Sequence, residues 1–330
     1  MIRAAYGRFL RFGRWLHAQT QPAVITHGRL RIVPDRLIGP ELQLWQDYLI
    51  ELLRSHPGSD RLDLTLLLHE ARARSGRSGP TRRIRFQPEH TLVKPGAAES
   101  DPAPSSRTPL PGSQDRYRFR LLHQSLLEQA DLILDYCECN LRHWQDSGQA
   151  DSLLRRARLL SPINLPVAHE PHARSRALVT LFSNPPGRRR AAFLAEARDH
   201  GLPVIQAGRA YRRQALTSLV DDTVVLINLR QSDHHDTFEA LRVLPALARG
   251  VLVVSEDVPL RAALPYQDCV IWADRGHLLE ALEDVHARPQ HHWQAIFGSG
   301  RCQARLKALA AQNQRMVDEF LSQTSRNVPL

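Results

Sequence analysis

Lysine is almost missing from this chain of 330 residues: Lys94 and Lys307 are the only two, so a formal charge of +10 rests on arginine. Cations clustered on one face bind phosphate backbones irrespective of base sequence. These arginines are dispersed, and no aromatic single-strand platform or RNP-like strand accompanies them, which argues against nucleic acid as partner. The charge suits an anionic small molecule, or the anionic surface of a membrane carrying a lipid-linked acceptor.

Long apolar runs are also lacking. None reaches the length of a membrane span, and the opening Met1-Ile-Arg-Ala-Ala-Tyr-Gly-Arg8 is broken by arginine where a signal peptide needs an apolar core. A cytoplasmic protein is expected. Cys137, Cys139, Cys269 and Cys302 are too few and too irregular for a disulfide framework or a four-ligand zinc site, so reduced thiols are expected. Adjacent histidines rarely both reach one ion, so His234 and His235, flanked by Asp233 and Asp236, do not read as a metal cluster.

What is present is a globular composition, 42% hydrophobic, with length for two domains. The most regular stretch runs from Asp222 to Glu256. Val224 to Leu229 is a short β-branched run of the kind buried on both faces of a parallel sheet. Thr237 to Ala248 has its apolar positions at helical spacing, Gly250 stands where a left-handed stop belongs, and Val251 to Val254 is a second buried strand. Ser255 and Glu256 then fall at a strand's carboxyl end, where open α/β sheets take their ligands.

The same alternation fills residues 177–286, with strands at Leu178 to Phe182, Val204 to Gln206 and Cys269 to Ala273. Helices are expected over Arg188 to His200, Tyr211 to Val220, Gly276 to His286 and, as one long element, Trp293 to Ser322. Strands alternating with helices of this length imply a parallel, doubly wound sheet. Earlier in the chain the pattern is looser. A helix is expected over Glu41 to Arg54, strands at Leu62 to Leu68, Ile84 to Pro88 and Leu132 to Asp135, and a helix over Arg116 to Ala130. Residues 96–112, rich in proline and serine, read as a mobile surface loop. Residues 1–20 could form a basic amphipathic helix suited to peripheral contact with an anionic membrane, or a frayed terminal helix.

Asn228-Leu-Arg, a polar His-rich loop, Phe238-Glu239-x-x-Arg242, Ala246-Leu-Ala-x-Gly250 and Val-Val-Ser255-Glu256, in this order and spacing, resemble the donor-binding half of bacterial GT-B glycosyltransferases. The likeness extends over about residues 177–285. It implies an α/β fold of two Rossmann-like domains with parallel sheets facing a cleft, the first one reduced or irregular. Residues 1–165 would form the acceptor side, 166–290 the nucleotide-sugar domain, and 291–330 a helix packing back across both. A nucleotide-sugar donor and a glycan, lipid-linked or protein acceptor are the implied partners.

On this resemblance Glu239 holds donor ribose hydroxyls, and Arg188, Arg189 or Arg242 the diphosphate at a helix start, where free N–H groups favour anions. Asn228, Ser255 and Glu256 line the same edge, and His234 or His235 would meet the sugar. Each has a plainer alternative. Glu239 and Arg242 also fit an i, i+3 ion pair contributing about 0.3 kcal/mol, Arg188 to Arg190 a solvated first turn, and the histidines a surface loop. Glu89, His90 and Asp135 are the candidate bases that would take the acceptor's proton. Pro88 could equally make Glu89 part of a strand stop, and Asp135 could cap a turn. Within Asp135-Tyr-Cys-Glu-Cys-Asn140, Asp135, Tyr136 and Asn140 match a strand end of these enzymes and Cys137 departs. The chain has no Asp-x-Asp motif, so cations and helix dipoles in place of a metal are expected to stabilise the leaving group. Pro245 stands where many retaining members carry a second glutamate, and it implies a kinked helix.

Overall fold

The computed structural model describes residues 25–27, 30–33, 40–56, 64–68, 82–94, 117–121, 124–168, 174, 176–181, 187–207, 213–230 and 236–326. Residues 1–20, the loop 96–112 and the pair His234 and His235 lie outside them.

The first half contains β1 (Ile25–His27), β2 (Leu30–Val33), α1 (Pro40–Ser55), β3 (Leu64–Leu68), β4 (Arg82–Gln87), β5 (Leu92–Val93), β6 (Arg118–Phe119), α2 (Gln124–Leu127), β7 (Leu132–Asp135), α3 (Glu138–Ser147), α4 (Asp151–Leu154) and β8 (Ala157–Leu159). Its sheet has the order β1-β2-β3-β4-β7-β8, and every pairing is parallel except that of β1 with β2. Strands β5 and β6 pair antiparallel beside it, with Leu92 opposite Phe119. The helix expected over Arg116 to Ala130 is therefore wrong. Arg118 and Phe119 are spent on β6, and only the four residues of α2 are helical.

The second half contains β9 (Arg176–Thr180), α5 (Arg188–Asp199), β10 (Val204–Gln206), α6 (Arg213–Asp222), β11 (Thr223–Asn228), α7 (Ala240–Ala248), β12 (Leu252–Glu256), β13 (Ile271–Ala273), α8 (Leu278–Ala287), α9 (Pro289–Phe297) and α10 (Arg301–Arg326). Its five strands are all parallel, in the order β10-β9-β11-β12-β13. The expected α/β architecture of two parallel sheets is what forms. Val225, Leu226, Ile227 and all of β12 are buried, as strands covered on both faces must be.

Helix α7 ends as its sequence demands. The Gly250 N–H donates to Leu247 O at 3.0 Å and the Val251 N–H to Ala246 O at 3.1 Å, the paired bonds of a Schellman stop, with Gly250 at φ 70°. Pro245 lies inside this nine-residue helix and removes one backbone donor. The single helix expected from Trp293 to Ser322 is two, α9 and α10, separated at Gly298 to Gly300. Gly300 takes φ 71°, and a Cβ on Gly298 would come within 2.5 Å of Gln294 O.

One apolar core, running from Trp45 and Phe86 through Val225 and Val254 to Leu306 and Leu321, joins the halves. Trp45 stacks on Phe86 at 3.8 Å between ring centres, and its Nε1 donates to Leu160 O at 3.1 Å. Helix α10 returns to the first half: Asn313 accepts from the Ser161 N–H at 3.0 Å and donates through Nδ2 to Ser161 O at 2.8 Å and to the Tyr48 hydroxyl at 3.0 Å. The expectation of four reduced thiols fails at two. Cys269 and Cys302 form a disulfide with their Cα atoms 5.7 Å apart, while Cys137 and Cys139 are free and buried.

Candidate functional site

The carboxyl ends of β4 and β7 meet those of β11 and β12 across the junction of the halves. Glu256 ends β12 only 1% exposed. A carboxylate so buried requires cationic partners, and it has two. Arg189, in the first turn of α5, donates through Nη1 to Glu256 Oε2 at 2.9 Å and through Nη2 to Oε1. Arg230, two residues past β11, donates its backbone N–H to Oε2 at 3.3 Å and its guanidinium to Oε1. Burial opposes the charge on Glu256, but the hydrogen bonds from Arg230 and Arg189 override it and depress the carboxyl pKa.

Arg230 also pairs with Asp236, which accepts from the Tyr117 hydroxyl at 2.8 Å and meets Lys94 Nζ at 3.0 Å. Lys94 and Tyr117 stand beside β5 and β6, so one ion network joins the halves. Arg190 is buried and donates through Nη2 to Leu229 O at 3.0 Å, while Arg188 is exposed. Asn228 and Ser255 are opposite one another in the β11–β12 register, and Asn228 Nδ2 donates to Ser255 Oγ at 2.9 Å. They fix the separation of the two strand ends.

Glu239 immediately precedes α7, and its carboxylate lies 3.5 Å from both His90 Nε2 and Arg242 Nη1. Burial works against its ionisation, yet Arg242 and His90 hold its pKa well below the usual carboxylate range. His90 also hydrogen-bonds Thr237 Oγ1 through Nδ1, with the Tyr136 hydroxyl at 3.4 Å. Glu89 is the more open group, its side chain 33% exposed and 4.0 Å from Arg120. Asp135 is fully buried. Its Oδ1 accepts from the Cys137 N–H at 2.9 Å and from Asn140 Nδ2 at 3.1 Å, and burial raises its pKa to about 8. It lies at the end of β7, in the turn that leads into α3.

The junction is tightly packed. Phe238 is buried against Tyr266 and Trp272, its carbonyl meets Cys137 Sγ at 3.5 Å, and the Tyr266 hydroxyl donates to Glu138 Oε2 at 3.2 Å. Open space begins just beyond β12, where a cavity of about 440 Å³ is lined by Arg230, Asp236, Asp257, Arg261 and Gln267. Asp236 and Arg230 are thus common to the ion network and the cavity, Arg230 being the shared cation. In the sequence it stands out only as the arginine of Asn228-Leu-Arg, just past a buried strand. Chemically, the edge offers guanidiniums for an anion and, across the junction, an imidazole and a carboxylate for proton transfer. Among the described residues no group of three or more His, Cys, Asp and Glu side chains is placed to hold a metal, and no helix is long and apolar enough to cross a membrane.

Two largely parallel α/β sheets thus face each other across their carboxyl edges. No family model and no curated protein matches the chain. Among solved structures it is similar to accessory secretory protein 1, 2 and 3 of Streptococcus pneumoniae, at TM-score 0.41 and 12% identity over 88% of this chain and 58% of that one. It therefore spans less than two thirds of that protein's chain. The α,α-trehalose 6-phosphate synthase of Burkholderia multivorans gives TM-score 0.39 and 12% identity, over 88% of this chain and 78% of that one. The lipopolysaccharide outer core galactosyltransferase WaaB gives 0.36 and 12%, over 86% and 80%. Likenesses this slight decide nothing about chemistry.

Proposed function

We propose that the chain is a glycosyltransferase that moves a sugar from a nucleoside diphosphate donor to an acceptor hydroxyl, in polysaccharide or glycoconjugate assembly. The observation that carries this reading is the polar cavity at the carboxyl end of β12, with Arg230 and Arg261 on its wall and Arg189 behind Arg230. Parallel α/β sheets take ligands at this edge, and the volume lies in the range of small-molecule sites. As the glycosidic bond breaks, negative charge grows on the departing diphosphate. Preorganised guanidiniums are suited to stabilise it, which agrees with a sequence that has no Asp-x-Asp motif. On the acceptor side, Glu89 or His90 would receive the hydroxyl proton. The acceptor would be a glycan, a lipid-linked sugar or a protein.

A second reading has its own support. Glu239, the residue that would grip ribose, is engaged by His90 and Arg242, and Phe238 fills the junction. This favours a non-catalytic protein that keeps the fold to bind a partner. A thermal-shift screen against UDP, GDP, ADP and CMP and their sugars, with and without magnesium, separates the two. A metal-independent upward shift with one nucleotide, abolished in Arg230→Ala, is the expected result. No shift with any of them would favour the partner-binding reading.

A further inference from the structure

Cys302 is the second residue of α10, and Cys269 lies in the short turn just before β13. Their disulfide links positions 33 residues apart. Both cysteines are buried from bulk water, but both line a second cavity, of about 280 Å³, together with Asp268, Ser299, Arg301 and Arg305. Two guanidiniums and one carboxylate give this wall a net positive charge. Arg305 pairs with Asp268 at 2.8 Å, and Arg301 Nε donates to Ser299 Oγ at 3.3 Å, so that among the described residues Arg301 faces a hydroxyl and no carboxylate. A sulfur–sulfur bond at the wall of a positively charged cavity has a defined chemistry. Exchange is carried by thiolates, and access and local charge govern its rate.

We infer that Cys269–Cys302 is a thiol–disulfide exchange site whose reductant is a small thiol carrying net negative charge, and that the bond fastens the first turns of α10 to the second sheet. The reductant's thiolate sulfur attacks one Sγ, the Cys269–Cys302 bond breaks, and the other cysteine departs as a thiolate that takes a proton from water. A second equivalent attacks the mixed disulfide. It releases the oxidised dimer of the small thiol and leaves two protein thiols, two electrons having passed to the protein. Beyond the disulfide, α10 is held by Leu306 and Leu309 in the core and then by the Asn313 contacts with Ser161 and Tyr48. Reduction therefore loosens the near end of the helix while the far end stays docked. The inference is independent of what the cavity beside β12 binds.

The test uses the full chain as purified without reductant. Denaturing alkylation followed by peptide mass analysis first reports whether the two cysteines are linked; free thiols at both positions would overturn the inference. The oxidised protein is then reduced by 2-sulfanylethanesulfonate or by cysteamine at matched thiolate concentrations. The anionic thiol is expected to react roughly tenfold faster, the scale of electrostatic focusing in a charged cleft, and the preference should vanish in Arg301→Glu. If that variant misfolds, Arg301→Gln should still reduce the ratio. Equal rates for the two thiols in the unaltered protein would refute the charged-cavity assignment. Hydrogen exchange should rise on reduction across residues 301–305 and not across 313–321; unchanged exchange at 301–305 would refute the fastening role.

Discussion

Replacing Glu256 with glutamine tests whether the strand ends are held by charge. The carboxylate is 1% exposed, and its partners Arg189 and Arg230 are 11% and 16% exposed. Glutamine keeps the shape and one acceptor oxygen but leaves two largely buried guanidiniums facing a neutral group, while Arg230 keeps its pairing with Asp236. Breaking a buried pair by removing one partner costs about 3–5 kcal/mol, and the retained acceptor puts the expected loss near about 3 kcal/mol. Urea unfolding followed by tryptophan fluorescence measures it. The carboxyl pKa is lower in the folded chain than in the unfolded one, so its contribution is fully present above the unfolded value of about 4.3. It is lost as pH falls through the folded value. The gap between Glu256→Gln and the unaltered protein should therefore be constant near neutrality and close in acid. A loss below about 1 kcal/mol, the scale of an exposed pair, would refute the argument that this network holds the sheet edge together.

Two further substitutions probe the contacts between the halves. Asn313→Ala leaves the buried Ser161 N–H without its acceptor, while Ser161 O keeps the Ile163 N–H; with about 1–3 kcal/mol for a group left unsatisfied, a loss of that size is expected in the same urea assay. Glu138 has its pKa raised to about 7 by burial, only partly offset by the Tyr266 hydrogen bond. A carboxyl raised on folding contributes stability that is present below its unfolded value and is lost as pH rises through its folded value. Stability should thus decline from weakly acidic to neutral pH, and Glu138→Gln should flatten that decline, which unfolding curves across this range would measure.

How much of this was legible in the sequence depends on how local each feature is. The β11–α7–β12 unit was readable because Val224 to Leu229 and Val251 to Val254 are apolar runs with Gly250 as a stop between them. It delivered Ser255 and Glu256 to the sheet edge. Strands β5 and β6 are two residues each, too short for any periodicity, so Arg118 and Phe119 were absorbed into a helix. The break between α9 and α10 was signalled by Gly298 and Gly300 but masked by apolar spacing that continues through Leu306 and Leu309. The Cys269–Cys302 bond and the hold of Tyr117 and Lys94 on Asp236 are nonlocal, and spacing along a chain carries no information about them. Nor does it reveal that Glu239 meets His90, since that contact belongs to the packing of one sheet's edge on the other's.

Asn313 also orders events in time. A chain emerging from the ribosome folds unit by unit from its N-terminal side, and each sheet is built from strands contiguous within its own half. Ser161 and Tyr48 belong to the half that emerges first, yet the side chain that closes on them is on α10, after every strand has been made. The first half must wait with the Ser161 N–H hydrated until that helix arrives. Docking of α10 is then the last step of assembly, and any chaperone that shields the nascent chain has to leave this surface before the protein is finished.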